Sequence, residues 1–341
     1  MSSVVELKGL EKTFFGKRGS SGVTILRNIN LKIEEGETLC VVGESGCGKT
    51  TLGRIIAGLL SYTEGSYLFD GKEVKSLKGD DQEHFRNNVQ LIHQNPYESL
   101  NPTMMIYDIL SNPLKRHKKL SKTEELYDEV TRLLELVGLT PVTDFVDKHP
   151  NHLSGGQRQR VSIARALAMN PKLIVVDEAT SMIDTSLRIS LLKTLKDIQN
   201  ETNVSFFFIT HDLALGRYFA QGEKIMVMYL GEIIETALTD DFVENTYHPY
   251  SKALLSAAVG NSDLLERSSE FEDYNLEGAD IPSYYDIPSG CTLHPRCPAF
   301  MEGICDKIVP RDIIMPKNHM VKCHLYDEEY NKKNNNNKDE K

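Results

Sequence analysis

Hydrophobic positions follow three regimes along the chain. Residues 1 to about 93 alternate strand-like stretches with turns. Residues 97 to about 168 take the wider spacing of helices, and residues 172 to 235 return to short apolar runs between helical segments. In the first regime Val4-Val5-Glu6-Leu7 and Gly65-Ser66-Tyr67-Leu68-Phe69-Asp70-Gly71 predict strands of an antiparallel sheet. Thr38-Leu39-Cys40-Val41-Val42 predicts a short buried strand, and Thr51 to Leu59 a helix with one apolar face. In the second regime Leu126, Val130, Leu133, Leu134 and Val137 recur at helical spacing, and Gly138 supplies a stop. Val161, Ala164 and Ala168 share one face of a helix over Arg158 to Met169. In the third regime Val204-Ser205-Phe206-Phe207-Phe208-Ile209 reads as a parallel strand buried on both faces. The pattern predicts an α/β core with an antiparallel β subdomain and a helical subdomain at about 97–168.

Chemistry enters between the first buried strand and its helix. Gly43-Glu44-Ser45-Gly46-Cys47-Gly48-Lys49-Thr50 fits G-x-x-x-x-G-K-[ST], the phosphate-binding loop of P-loop (RecA-like) nucleotide triphosphatases. Its glycines let backbone N–H groups turn inward around phosphate oxygens, and the helix N-terminus adds the positive end of a dipole. Lys49 then reaches the β- and γ-phosphates, and the Thr50 hydroxyl ligates Mg²⁺; Thr51 completes the turn. A chance glycine-rich turn would lack the strand before it and the helix behind it.

Two further motifs narrow the class. Leu153-Ser154-Gly155-Gly156-Gln157 opens a helical stretch, and Leu173-Ile174-Val175-Val176-Asp177-Glu178 is an apolar strand ending in two carboxylates. Alone, the first could be a helix cap and the second a solvated strand end. Together, behind a phosphate loop, they resemble the ATPase subunits of ABC transporters over residues 1 to about 235. The resemblance implies the remaining roles: Gln94 as the Q-loop glutamine that senses Mg²⁺ and γ-phosphate, Asp184 of Ser181-Met182-Ile183-Asp184 as the D-loop acid, and His211 as the switch histidine. It also implies Asp177 in the Mg²⁺ shell, Glu178 as the polariser of the attacking water, and Phe14 as the ring that stacks on adenine, with Phe15 adjacent as an alternative. In that family the Ser154-Gly155-Gly156 N–H groups complete the site of an opposing subunit, so ATP is held in a head-to-tail sandwich. All these elements are intact.

Asn95-Pro96-Tyr97-Glu98-Ser99-Leu100-Asn101-Pro102 and Tyr247-His248-Pro249-Tyr250-Ser251-Lys252-Ala253-Leu254-Leu255 resemble segments of oligopeptide and dipeptide importer ATPases; the tyrosine after Pro96 favours the second of their two types. The resemblance implies a different but related ATPase partner, two transmembrane permease subunits, and an extracytoplasmic binding protein that delivers the solute. Peptides are the expected cargo, with oligosaccharides or nickel as alternatives within the same machine.

The chain has 341 residues and a formal net charge of −10, which argues against nucleic acid as a main partner. It lacks a run of ~20 apolar residues and a signal-peptide pattern at Met1-Ser2-Ser3-Val4-Val5-Glu6. The expected location is the cytoplasmic face of the membrane, docked on other subunits. A ribosome-acting ABC ATPase would normally carry two ATPase domains, and a chromosome-type one a long coiled coil; neither is evident here.

Four of six cysteines fall late, as Cys291, Cys297, Cys305 and Cys323, with spacing C-x₅-C-x₇-C-x₁₇-C. A reducing cytosol disfavours disulfides. Four thiolates suit tetrahedral zinc, although its usual close pairs are missing, and they also suit a [4Fe–4S] cluster. In peptide-importer ATPases such cysteines hold that cluster, which places it first, zinc second and unliganded thiols third. The expected organisation is an ATPase domain over 1–235, a C-terminal extension with a small Cys-rich module over 236–330, and a disordered low-complexity tail over 331–341. The cysteine segment lies downstream of every nucleotide motif, and nothing in the sequence joins it to hydrolysis. Cys40 is expected in the core, and Cys47 close to bound phosphate with a lowered pKa.

Overall fold

The run Ser205–Thr210 is buried at every position and forms the middle of the main sheet. Successive side chains of a strand point to opposite faces. Phe206 and Phe208 therefore enter one core, with Cys40, Val42, Ile174 and Val176, while Phe207 and Ile209 enter a second, with Leu39, Val41, Leu52, Ile55 and Val175. Each of these large side chains is at most 1% exposed, and full burial of such a side chain contributes about 1.5–3 kcal/mol. A helical spacing could not serve two faces in this way.

The computed structural model describes residues 3–16, 22–117, 120, 122–180, 185–259, 274–278 and 280–330. Its strands are β1 (Ser3–Phe14), β2 (Val23–Glu34), β3 (Thr38–Val42), β4 (Glu64–Phe69), β5 (Lys72–Glu73) and β6 (Val89–Ile92). There follow β7 (Leu173–Asp177), β8 (Ser205–Thr210), β9 (Lys224–Tyr229), β10 (Glu232–Leu238), β11 (Ile313–Met315) and β12 (His319–Val321). One antiparallel sheet has the order β2-β1-β4-β5, and the main sheet has the order β11-β12-β10-β9-β3-β8-β7-β6. The centre of the main sheet is parallel, with Cys40 opposite Phe208 and Val176 opposite Phe208 in register. β9 is parallel to β3, whereas β10 and β12 run antiparallel to their neighbours.

The predicted elements match closely in kind. β3 covers the predicted buried strand, and β1 pairs antiparallel with β4 as expected from Val4–Leu7 and the 65–71 segment. The helix after the phosphate loop starts earlier than predicted, at Lys49, and ends at Ile56, because Gly58 takes φ +69° and turns the chain out of the helix. Between β6 and β7, helices run over Ile106–His117, Thr123–Leu136 and Gly155–Leu167. Leu126, Val130, Leu133 and Leu134 line the buried face of the second.

The C-terminal residues do not stand apart from this sheet. β12 pairs with β10 through Glu235 opposite Val321 and Thr236 opposite Met320, and β11 extends the edge. The sequence-derived limit at 235 falls inside β10. His319 of β12, fully buried, bridges Glu235 Oε1 at 2.8 Å and Asp241 Oδ2 at 2.9 Å.

Candidate active site

The loop between β3 and the Lys49 helix is compressed against β9. A Cβ placed on Gly43 would sit 2.3 Å from the Met228 carbonyl oxygen, so only glycine fits there. Lys49, buried at the start of the helix, donates from Nζ to the carbonyls of Gly43 at 2.7 Å and Glu44 at 2.9 Å. The Thr50 hydroxyl donates to Asp177 Oδ1 at 3.0 Å across 127 residues of sequence. Burial raises the pKa of Asp177, the Thr50 hydrogen bond opposes the rise, and the charge of Glu178 adds to it. Two hard oxygens side by side, on a hydroxyl and a buried acid, form a donor set that fits Mg²⁺.

Glu178 leaves the end of β7 with φ +48°, a left-handed backbone that a non-glycine residue adopts at a cost of about 1–3 kcal/mol. Its N–H donates to the Ile209 carbonyl at 3.1 Å, which fixes the turn. Its side chain meets two partners from other strand ends. Gln94 Nε2 donates to Glu178 Oε2 at 3.2 Å, and His211 Nδ1 lies 3.4 Å from Glu178 Oε1. The three residues come from the ends of neighbouring strands β6, β7 and β8.

Ser45, Gly46, Gly48, Lys49, Thr50, Thr51, Gln94 and Glu178 line one cleft of about 1020 Å³. Phe14 and Phe15 both line it, so both rings are available to a base; Phe14 is 43% and Phe15 73% exposed. None of Ser154, Gly155, Gly156 and Gln157 is among the described residues lining it. The Ser154 hydroxyl instead accepts from the Gln157 N–H, and Gln157 Oε1 accepts from the Ser154 N–H, a reciprocal capping box. Asp184, with the rest of 181–184, lies outside the described residues, as does the tail 331–341. Cys47 departs from expectation. Its thiol is 2% exposed, and burial raises its pKa against the lowering effect of Lys49.

Comparison with known proteins gives this geometry its family. Residues 26–181 match the ABC transporter family, and residues 234–305 match the oligopeptide/dipeptide transporter C-terminal region. The oligopeptide transport ATP-binding protein AppF of Bacillus subtilis is 35% identical over 95% of this chain and 98% of its own length. OppF of Salmonella typhimurium is 41% identical over 79% of each chain. The chain belongs to the ATP-binding proteins of oligopeptide/dipeptide ABC transporters. A solved dimeric ATP-binding cassette in a post-hydrolysis state, bound to ADP and Pi, superposes with a TM-score of 0.61 at 31% identity. That match covers 69% of this chain and 98% of the other. Among the described residues no helix of this ATP-binding protein is long and apolar enough to cross a membrane.

The four late cysteines occupy a shared buried region. Cys297, Cys305 and Cys323 are buried and Cys291 is partly so. The Cys291 N–H donates to the Cys305 carbonyl at 2.8 Å. Burial pushes the Cys291 thiol up to about 12 and Cys297 up to about 11, with smaller contributions from neighbouring cysteines. Cys323 is raised by burial first and then by Cys291, Cys297 and Cys305. Among the described residues, however, no three His, Cys, Asp or Glu side chains are arranged to hold a metal ion. Zinc would need all four sulfurs about 2.3 Å from one point, whereas a [4Fe–4S] cluster spreads its thiolates over four irons.

Sequence reasoning missed one group of residues at the site. Ile281, Pro282, Ser283, Tyr284 and Tyr285 line the cleft, and Arg296 pairs with Glu44 of the phosphate loop. The available signal was Glu44 itself, since an acid in an anion-binding loop calls for a cation.

Proposed function

We propose that this chain is the ATP-hydrolysing subunit of an importer of di- and oligopeptides, acting as one half of a head-to-tail ATPase dimer beneath membrane permease subunits. The observation that carries the reading is the convergence of Thr50 on Asp177, and of Gln94 and His211 on Glu178, beside the phosphate loop. In this reading Lys49 and the loop N–H groups bind the β- and γ-phosphates. Thr50, Asp177 and Gln94 hold Mg²⁺, which when bound neutralises phosphate charge. Glu178 would orient and polarise the attacking water, while His211 and Lys49 would stabilise the γ-phosphate. Phe14 stacks on adenine.

The Ser154-Gly155-Gly156 N-terminus faces the nucleotide of a second chain, supported by its absence from the cleft lining of its own. Asp184 belongs to the same interface. The partner is a related but distinct ATPase; the ATPases dock at the cytoplasmic face of the membrane, and an extracytoplasmic binding protein supplies peptide to the complex from the opposite side. Cys291, Cys297, Cys305 and Cys323 would hold a [4Fe–4S] cluster that ties the C-terminal loops together.

The test is reconstitution with the permease subunits and partner ATPase in vesicles. Peptide uptake should require ATP and vanish with Lys49→Ala; uptake that persists in this variant, with the partner's own site disabled, defeats the reading. Anaerobically purified protein should contain iron and acid-labile sulfide, and stoichiometric zinc in their place would reassign the cysteines.

A further inference from the structure

Glu44 sits in a loop built to face phosphate, where an uncompensated carboxylate would repel the nucleotide. The chain supplies the compensation from 252 residues away. Arg296 donates from Nη1 to Glu44 Oε2 at 3.0 Å and from Nη2 to Glu44 Oε1 at 3.2 Å. The pair is bidentate, the strongest geometry an arginine and a carboxylate can adopt. Arg296 is only 5% exposed, whereas the Glu44 side chain is 30% exposed. The arginine immediately precedes Cys297, and its carbonyl accepts from the Glu277 N–H at 2.9 Å, so it is anchored within the C-terminal segment.

A second set of contacts holds the same loop residue. The Glu44 N–H donates to the Tyr250 hydroxyl at 2.8 Å. The Tyr250 ring packs on Tyr229 with centroids 4.8 Å apart, and Arg296 Nη1 lies 3.5 Å from the Tyr229 hydroxyl. Backbone and side chain of Glu44 are thus both fixed by residues beyond the phosphate-loop core. Ile281 to Tyr285 then form part of the wall of the cleft. Tyr285, 86% exposed, stands at its rim with the exposed rings of Phe14 and Phe15.

We propose that the C-terminal segment is a working part of the nucleotide site, with Arg296 as a positioning residue that neutralises and holds the phosphate loop through Glu44. The inference rests on the reading of the cleft as an ATP site. A loop whose competent conformation is populated only in part binds with an affinity reduced by that fraction. Removing the guanidinium frees the loop and also leaves an unpaired carboxylate within it, one residue from the cleft lining.

The test measures Mg-ATP affinity of the full chain by calorimetry. Arg296→Ala should weaken binding about tenfold, equivalent to about 1.4 kcal/mol. Adding Glu44→Gln to that variant should restore affinity to within about threefold of wild type, since the unpaired anion is gone. A purely structural arginine gives the opposite result, a double variant at least as weak as Arg296→Ala, and that outcome overturns the proposal. So does an Arg296→Ala protein that binds within twofold of wild type. If Arg296→Ala does not fold, Arg296→Lys keeps the charge and loses the fork, and should cost about threefold; unchanged affinity then overturns the proposal. Lys49→Ala separates the two levels. If it binds ATP like wild type, the cleft reading fails, whereas loss in Lys49→Ala with full binding in Arg296→Ala defeats the inference alone.

Discussion

The phosphate loop and the Ser154-Gly155-Gly156 segment both lie at helix N-termini aimed at phosphate in the proposed sandwich, yet the chain secures the two ends differently. Beyond its own Lys49, the loop is held by distant residues: Arg296 and Tyr250 on Glu44, and the Gly231 N–H on the Cys47 carbonyl at 2.9 Å. The first turn of the Gly155–Leu167 helix is closed by near neighbours, although Arg160 further along reaches Thr194 and Ser190. Ser154 and Gln157 cap each other, and Arg158 donates to the Leu153 carbonyl at 2.8 and 3.0 Å. Ser154 remains exposed, and Gly155 and Gly156 are partly so. A loop that must receive nucleotide in its own chain is preorganised by that chain. A surface offered to another chain needs only to keep its shape and stay open.

The largest effect expected separates binding from chemistry at the loop end. Glu178→Gln keeps the size of the side chain and an oxygen that can accept from Gln94, but cannot polarise water. Hydrolysis by the assembled complex should fall about 10²- to 10⁴-fold, while ATP affinity stays near wild type and the ATP-bound dimer accumulates. Hydrolysis within tenfold of wild type, measured with the partner's own site disabled, would remove Glu178 from the role.

This first contrast also shows what was legible in the sequence. The phosphate loop, the carboxylate pair and the switch histidine each sit at a strand end, and strand ends are read from local apolar runs such as Val204–Ile209. Their convergence follows from the order of parallel strands, which is why Thr50 meets Asp177. The pairing of Arg296 with Glu44 has no local signal, because neither residue alters the periodicity around it. The same holds for β12, whose three residues are too few to show a pattern and are placed by their partner β10. Cys47 was misread for a related reason. Its spacing gave its place in the loop but not its burial, and burial outweighs the nearby lysine in setting its pKa.

The second effect should appear at the other end of the comparison. A Cβ on Gly156 would meet only Leu187 Cδ1, at an ordinary 3.6 Å, so substitution there does not disturb the fold of the chain itself. Gly156→Asp places a negative charge where a partner's γ-phosphate would sit. Hydrolysis by the assembled complex should drop about 10²-fold, while a dilute single chain binds ATP within twofold of wild type. A large loss of ATP affinity in the isolated chain would place the signature in its own site and erase the contrast between the two ends.

The smallest effect on turnover, and the most indirect, should come from His319, which seats the C-terminal strand β12 beside β10. Its imidazole lies between Glu235 and Asp241 and against the Tyr247 ring at 4.7 Å, while Lys317 pairs with Asp241 at 2.9 Å and His248 donates its backbone N–H to Glu235. Burial lowers the His319 pKa, but its bonds to Glu235 and Asp241 raise it further, and the net direction is up. A folded pKa above the free value of 6.5 makes the stabilisation complete below about pH 6.5 and lost as pH rises through the folded value. His248 acts in the opposite sense: burial lowers it to about 4, so it costs stability as pH falls from 6.5 toward 4. Asp241 is held below its ordinary value; burial opposes this, and Lys317 and His319 outweigh it, so its own contribution fades only at still lower pH. Taking the difference between wild type and His319→Ala cancels most of the His248 term. That difference should be about 3 kcal/mol near pH 6, the cost of leaving two buried carboxylates without their partner, and should shrink steadily toward pH 9 in urea denaturation. A difference that is flat or grows with pH would mean that the histidine is neutral in the fold and that the carboxylates, not the imidazolium, carry the seat.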